Sequence, residues 1–265
     1  MDQKRIALLD TDFTVKTIMS QNDLGHCLLD LLMQRSDYSF ACHEKTIDEV
    51  KDHNYCGAYD WVQNKVKTGI VCVYSDEEII EILSTIYGDG SVVVYTNLLK
   101  NSCDAFGRTI YQDNYSEIDN LPPAVERDVF LKKLHDCDVA YGKGKGLGEI
   151  KLLILLQALE IIHPGDVSVF CSDDSGARTG VYSTASIHCI SVITLFYHLK
   201  NWGVEKSEAE PYYISYKNTL SSTQTTFKVY NKNRSVRIDI PCDTIFDYIY
   251  EDKYIAYGTG VLIER

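Results

Sequence analysis

Short apolar, strand-like segments alternate with helix-forming segments through the first two hundred residues of this chain. The strand candidates lie at 6–9, 38–42, 69–74 and 167–171. Between them, apolar residues recur at intervals of three and four, which is the spacing of one face of an α-helix. Alternating strands and helices favour a parallel sheet covered by helices. We therefore predict an α/β fold.

The pattern changes near residue 205, where the sequence becomes rich in tyrosine and more β-like. We predict an α/β domain over 1–205, with an inserted stretch at about 88–140, and a small β-rich C-terminal extension over 206–265. In order, the extension is predicted to contain two strands of a hairpin, a short helix and a last strand, at 225–229, 235–240, 243–250 and 255–263.

Charge restricts the partners of the chain. It has 38 acidic and 26 basic residues, a net charge of −12. That excess opposes non-specific attraction to nucleic acid. A nucleic-acid function therefore requires a local basic patch, or metal ions that neutralise a group of carboxylates.

The nine cysteines include no C-x-x-C pair, and several lie inside apolar runs. They are typical of core residues in a reducing compartment. No apolar run approaches the length of a membrane span. The first residues lack the apolar core of a secretory leader. These features predict a cytoplasmic protein with no membrane partner.

Carboxylates follow two of the predicted strands at the point where each strand ends. Asp10 follows the first strand, the pair Asp173 and Asp174 follows 167–171, and Glu149 lies in the first turn of the most apolar helix. Ligands of open α/β sheets bind beyond the carboxyl ends of the strands. Each acid alone is commonly a turn former or helix cap. Clustered acids repel unless a hard cation binds between them, which favours Mg2+ or Mn2+ over zinc.

Four segments carry a family resemblance. They are Leu8-Leu9-Asp10-Thr11-Asp12-Phe13, Cys42-His43-Glu44-Lys45-Thr46-Ile47-Asp48-Glu49-Val50, Gly148-Glu149-Ile150 and Cys171-Ser172-Asp173-Asp174-Ser175-Gly176-Ala177-Arg178. In this order they resemble the acidic motifs of the PIN-domain nucleases, over roughly residues 6–200 of the chain. The resemblance implies a PIN-like (flavodoxin-like) parallel sheet flanked by helices, and a divalent-metal-dependent ribonuclease.

The resemblance also implies site residues. The catalytic acids are matched by Asp10, Glu49, Glu149 and Asp174, with Glu44 as the fallback for Glu49. The implied ligands of Mg2+ or Mn2+ are Asp10, Glu149, Asp173 and Asp174. Three further side chains would support them: Thr11, Asp12 and Ser172.

Basic residues close in sequence to these acids are candidates for contacts with RNA phosphates, or else belong to a solvated surface. They are Lys143, Lys145, Lys151 and Arg178. We expect RNA as the substrate in preference to DNA. Small bacterial PIN nucleases are often toxins, so a protein inhibitor is a further hypothesis, as is a homodimer. His43 is predicted to be a packed or surface residue. Three tyrosines could stack on bases or, in the favoured interpretation, pack the extension: Tyr212, Tyr213 and Tyr216.

Two alternatives remain open. Asp10-Thr11-Asp12-Phe13-Thr14 also resembles the nucleophile motif of haloacid-dehalogenase-like phosphatases. In that family Asp10 would be the nucleophile and Asp12 the general acid. The run 92–97 would be a strand that ends in threonine. Asp173 and Asp174 would be acids that bind the metal ion, and Lys143 or Lys145 would balance the negative charge of the site. The second alternative is a non-catalytic module that holds a protein partner through the C-terminal hairpin.

Overall fold

The computed structural model describes residues 5–52, 57–122, 125–142, 146–221, 223–234 and 236–265. Its central feature is a sheet of five strands, all parallel, in the order β3-β2-β1-β4-β5. The strands are β1 (Arg5–Leu9), β2 (Tyr38–His43), β3 (Val71–Tyr74), β4 (Val167–Cys171) and β5 (His188–Ile190). The predicted α/β fold with a parallel sheet flanked by helices is confirmed.

Helices connect these strands and cover both faces of the sheet. The first seven α-helices are α1 (Thr11–Met19), α2 (Leu28–Arg35), α3 (Glu44–Asp52), α4 (Ala58–Lys67), α5 (Asp76–Tyr87), α6 (Ser91–Phe106) and α7 (Ile110–Asn114). The others are α8 (Arg127–Tyr141), α9 (Leu147–Ile162), α10 (Ser175–Ala185), α11 (Val192–Asn201), α12 (Lys206–Lys217) and α13 (Cys242–Tyr250). Short 3-10 turns lie at Gly88–Gly90 and Ser116–Asn120.

The strand order reverses between β1 and β4, the first and fourth strands along the chain. At such a reversal the connections leave toward opposite faces, so a crevice opens beyond the carboxyl ends of the two strands. The chain continues from β1 into Asp10 and from β4 into Ser172. The acids predicted at strand ends therefore lie at the edge of the sheet where a ligand site is expected.

Helix α9 is the central helix of one face. Eleven of its sixteen residues are buried, and it packs against β2, α3, α5 and α6. A helix covered on all sides must be apolar nearly all round, as the run from Leu152 to Leu156 is. Its N-cap, Gly146, has φ +81° in the left-handed region, where glycine is the residue that fits without strain.

The inserted stretch is helical. The β-branched run Val92-Val93-Val94, which the phosphatase hypothesis requires as part of a strand, lies in α6. Its β propensity is overridden because α6 buries Tyr95 and Leu99 completely against neighbouring helices. The strand expected at 92–97 is therefore wrong.

The C-terminal sheet has the order β7-β6-β9-β8. Its strands are β6 (Thr226–Tyr230), β7 (Arg237–Pro241), β8 (Tyr254–Ala256) and β9 (Leu262–Glu264). The predicted hairpin and short helix are confirmed. The single last strand expected at 255–263 is wrong, because the chain turns back at Gly260, whose amide donates to the Tyr257 carbonyl. The extension also begins with a helix, α12, and not with β structure.

The extension shares its core with one face of the large sheet. Phe196 of α11 contacts the rings of Tyr213 and Tyr216 from α12 and of Phe246 from α13. The three tyrosines proposed as base-stacking candidates, including Tyr212, are at most 5% exposed. The favoured interpretation, that they pack the extension, is confirmed.

The described cysteines are unpaired, and all except Cys72 are buried, which agrees with their interpretation as core residues. Among the helices that the structure describes, none combines the length and apolar character needed to cross a membrane.

Candidate active site

A cavity of about 810 Å³ opens at the carboxyl edge of the large sheet. All four predicted catalytic acids line it, each from a different segment: Asp10 after β1, Glu49 in α3, Glu149 in the first turn of α9 and Asp174 at the start of α10. These residues are far apart in the sequence. The fold brings them together because β1 and β4 end side by side. Helix α9 begins at this carboxyl edge of the sheet, and α3 runs past it.

Asp10 is the most buried of the four, at 3% exposure. It occupies the N-cap position of α1, yet its side chain makes no capping hydrogen bond. Instead the Ser172 hydroxyl donates to its Oδ2 at 2.7 Å. Burial, with repulsion from Glu149, raises the pKa of Asp10 to about 8, against the opposing hydrogen bond from Ser172. The carboxyl group is therefore held where a negative charge is unfavourable.

Glu49 is positioned by two neighbours. The Thr11 hydroxyl donates to its Oε2 at 2.6 Å. On the other side its carboxylate lies against the backbone of Gly148, where a Cβ atom would come within 2.6 Å of the same oxygen. The glycine that precedes Glu149 thus makes room for a second acid from α3. Glu44, the fallback for this position, does not line the cavity.

Glu149 and Asp174 complete the group. Burial raises the pKa of Glu149, and repulsion from Glu49, Asp174 and Asp12 adds to the effect. Asp174 caps α10, because its Oδ1 accepts the Ala177 amide at 2.7 Å. Its own amide donates to the Ser172 hydroxyl at 3.1 Å. Ser172 therefore links Asp174 to Asp10.

Asp173 does not join the cavity. Its Oδ2 lies 2.5 Å from the Lys16 ammonium, and its Oδ1 accepts the Val192 amide at 3.2 Å. Its charge is already compensated, so the structure separates the two aspartates that the sequence placed together as ligands. Asp12 does line the cavity, and it lies 3.6 Å from Lys16.

The structure contradicts two predicted phosphate contacts. Lys151 is fully buried between Asp76 at 2.7 Å and Asp138 at 2.8 Å. Arg178 is buried too, and donates to the carbonyl oxygens of Ser172 at 2.9 Å and Thr259 at 3.1 Å. Neither belongs to a solvated surface, because their charges are used inside the fold. The other two candidates, at 143 and 145, lie outside the described residues.

Other basic side chains line the cavity in their place. Lys45 and Lys51 reach it from α3, and His135 reaches it from α8. Sequence reasoning missed all three. Lys45 had a readable signal, because it precedes Glu49 by four residues and therefore shares its face of the helix. No pattern in the sequence indicates His135, since only the packing of the inserted helices brings α8 to the carboxyl edge of the sheet.

A second group of ligand atoms lies beside the cavity. His43, Glu44 and Asp76 offer ligand atoms within 4.8 Å of one another, so this group could bind a metal ion. Within the described ranges it is the one set of three that converges so closely, and the cavity carboxylates are spaced more widely.

Two contacts compete with a metal ion at this second group. The Lys151 ammonium lies 2.7 Å from Asp76 Oδ2. The Lys45 amide donates to Nδ1 of His43 at 3.1 Å, which leaves the proton on Nε2, 3.2 Å from Asp76 Oδ1. Although burial raises it, Lys151 and His43 together hold the pKa of Asp76 far below its usual range. The group thus already carries its own cation.

Fold and cavity together define a parallel α/β protein with four carboxylates at the switch point of its sheet. Comparison of the chain with family models, with curated proteins and with solved structures gave no match.

Proposed function

We propose that this protein hydrolyses phosphodiester bonds of RNA with one or two divalent cations, Mg2+ or Mn2+, held by Asp10, Glu49, Glu149 and Asp174. One observation carries the proposal: four carboxylates from four segments line one cavity, although burial and mutual repulsion raise the pKa of Asp10 and Glu149. Such an arrangement destabilises the metal-free fold. A hard cation offsets that cost, which is the usual reason for a chain to retain it.

The donor set suits such a cation. The four acids supply oxygen atoms only, and no cysteine is among the described residues that line the cavity. The Ser172 hydroxyl donates to one oxygen of Asp10, and the Ala177 amide donates to one oxygen of Asp174. Each of these two carboxylates therefore keeps its second oxygen for a ligand. The wide spacing of the acids suits Mg2+, which retains several of its waters when it binds to proteins.

When bound, such a cation lowers the pKa of a coordinated water and polarises a phosphoryl oxygen. The protein's part is positioning. Ser172 holds Asp10 and Asp174 in a fixed relation, and Thr11 holds Glu49. Lys45 and Lys51 supply positive charge in the same cavity for the phosphates that flank the scissile bond.

The phosphatase alternative is less well supported. It needs a strand at 92–97, which is helical, and it gives no role to Glu49 or Glu149. A non-catalytic module has no need of four repelling acids in one cavity.

The test is cleavage of labelled single-stranded RNA, single-stranded DNA and an aryl phosphate, each with Mg2+, Mn2+ or a chelator. The wild-type protein is compared with Glu149→Gln, and with Asp173→Asn as a matched loss of one negative charge outside the cavity. We expect metal-dependent cleavage of RNA that Glu149→Gln lowers by more than about 100-fold, since even outer partners of metal ligands are worth about 10–100-fold. Asp173→Asn should retain the activity.

Cleavage of RNA that survives the chelator and Glu149→Gln would contradict the proposal. Hydrolysis of the aryl phosphate that survives Glu149→Gln would instead support the phosphatase. A protein that binds no divalent cation and cleaves none of the three substrates would be a binding module.

A further inference from the structure

A second concavity, of about 880 Å³, lies between α10 and the C-terminal sheet. We name it the basic groove. One wall is a face of α10 that carries Ser175, Thr179 and Ser183. The opposite wall is formed by the β6–β7 hairpin, with Tyr230, Lys232 and Arg237 among the residues that line it. The tip of the β8–β9 hairpin, around Tyr257, closes one side.

The charge of the basic groove is opposite to that of the protein. The chain carries a net charge of −12, yet no aspartate or glutamate is among the described residues that line the groove, whereas Lys232 and Arg237 are. Arg178 lines it too, but it is buried and already donates to two backbone carbonyls. Lys232 and Arg237 are exposed, and in the described part of the chain neither forms an ion pair with a carboxylate. Their charges are available to an anionic ligand.

Aromatic and hydroxyl groups accompany this positive charge. The Arg237 guanidinium lies 5.4 Å from the centre of the Tyr230 ring, and Tyr257 is 51% exposed. Cationic side chains interleaved with exposed aromatic rings are the usual elements of surfaces that bind single-stranded nucleic acid, because the cations contact phosphates and the rings stack on bases. An acidic protein surface would use the cations but has no use for the rings.

The wall between the groove and the large sheet is rigid. The carbonyl oxygens of three consecutive residues, Gly258, Thr259 and Gly260, accept hydrogen bonds from the Cys189 amide at 2.7 Å, the Arg178 Nε at 3.1 Å and the Ser191 hydroxyl at 2.8 Å. This loop packs so closely that a Cβ on Gly260 would lie 2.7 Å from Arg178. This wall of the groove is therefore preformed, which lowers the part of the entropic cost of binding that comes from ordering it.

The basic groove adjoins the candidate active site. Asp174 lines the carboxylate cavity, and the next two residues, Ser175 and Gly176, line the groove. An RNA strand that places a phosphate at the carboxylates can continue along α10, which is about 16 Å long. The phosphate contacts that the sequence assigned to Lys151 and Arg178 would then be made by residues of the extension.

We propose that the basic groove binds the single-stranded RNA that flanks the scissile phosphate. Lys232 and Arg237 contact its phosphates, Tyr230 and Tyr257 stack on its bases, and the hydroxyl groups of α10 hydrogen-bond to its 2′-hydroxyls. This inference rests on the proposed function for its substrate, but its test does not depend on cleavage.

The experiment measures binding of short fluorescein-labelled single-stranded RNA, and of DNA of the same sequence, by fluorescence anisotropy. All proteins contain the whole 265-residue chain and carry Asp10→Asn, so that cleavage does not contribute. Lys232→Glu and Arg237→Glu are compared with Lys67→Glu, a matched charge reversal of an exposed residue at the end of α4. Lys67 precedes β3 and so lies toward the amino edge of the sheet, away from the groove.

We expect each groove variant to bind RNA on the order of tenfold more weakly than the parent. In a plot of the logarithm of affinity against the logarithm of salt concentration, the slope should become less steep by about 0.7 to 1 for each phosphate that the variant no longer neutralises. Lys67→Glu should change the affinity by less than about twofold. The parent should prefer RNA to DNA, because only RNA offers the 2′-hydroxyl.

Groove variants that bind RNA as tightly as Lys67→Glu would overturn the inference, as would a parent that binds no RNA at low salt. Equal affinity for RNA and DNA would overturn the hydrogen bonds assigned to α10. Failure of the proposed function is a separate result, because it is read from metal-dependent cleavage by protein that retains Asp10. Thermal melts of all variants check that each is folded.

Discussion

Helix α9 contributes one residue to each of two acidic groups, one in an open cavity and one in the protein interior. Glu149 joins Asp10, Glu49 and Asp174 in the open cavity. Two residues further along, Lys151 enters a buried network and lies within 2.8 Å of both Asp76 and Asp138. One group contains an internal ammonium, and the other contains acids with no such partner among the described residues.

The pKa shifts in the two groups have opposite directions. Despite burial, Lys151 and His43 hold the pKa of Asp76 far below its usual range. Burial and Glu149 raise that of Asp10 to about 8. Both groups are acidic and both are at least partly removed from water, so the difference comes from the cation. The comparison indicates that the buried network is neutralised from within, whereas the four cavity acids have no internal cation among the described residues, and the proposed metal site rests on that difference.

The largest effect is expected from removal of the internal cation. Lys151→Met should destabilise the protein by about 3–5 kcal/mol, because it leaves Asp76 and Asp138 buried without a partner. The free energy of unfolding in urea measures this loss. Lys67→Met is the control, and as a surface change it should cost less than about 0.5 kcal/mol. A Lys151→Met protein as stable as this control would show that the buried network does not depend on its ammonium.

A smaller effect of opposite sign is expected in the cavity. The pKa of Asp10 is about 8 in the folded state against 3.8 in the unfolded chain. Below about pH 4 Asp10 is protonated in both states and does not lower the free energy of unfolding. As the pH rises toward 8, ionisation favours the unfolded state, so metal-free wild-type protein should lose stability over this range.

Asp10→Asn should remove this loss. At pH 8, in a chelator, we expect the free energy of unfolding of the variant to exceed that of the wild type by about 2–3 kcal/mol. This is roughly half of the value obtained when the full pKa shift of Asp10 is converted at 1.36 kcal/mol per pKa unit. Urea unfolding at pH 5 and pH 8 measures the difference, and Asp173→Asn serves as control. Equal pH dependence in wild type and Asp10→Asn would mean that Asp10 is ionised without cost.

The smallest expected effect separates two adjacent residues. Asp174→Asn should weaken binding of Mg2+ by about 10–100-fold, equivalent to about 1.4–2.7 kcal/mol, because it removes a charge from the cavity. Asp173→Asn should leave the affinity within about twofold, since Lys16 already neutralises that carboxylate. Isothermal titration calorimetry of both variants provides the comparison. Equal losses would mean that the two aspartates act as one ligand pair.

Sequence reasoning identified the acids of the cavity more successfully than the cations. An acid directly after an apolar strand has its place fixed by the strand, as with Asp10, and the pair Asp173 and Asp174 was assigned to the same edge because it follows β4 closely. A lysine next to an acid in the sequence has no such constraint. Lys151 follows Glu149 by two residues on a helix, which turns its side chain to a different face and into the core. Its burial depends on Asp76 and Asp138, and nothing in the sequence links those residues to it.

The alternation of strands and helices, together with the apolar character of α9, determined the parallel sheet and its central helix, because these patterns depend on local periodicity. The acids at the ends of β1 and β4 followed from the same local rules. Only the tertiary structure decided which of Asp173 and Asp174 enters the cavity, which acids receive an internal cation, and where the C-terminal hairpins place Lys232 and Arg237. Those outcomes depend on packing between distant segments, and charge compensation is a property of such packing and not of any one segment.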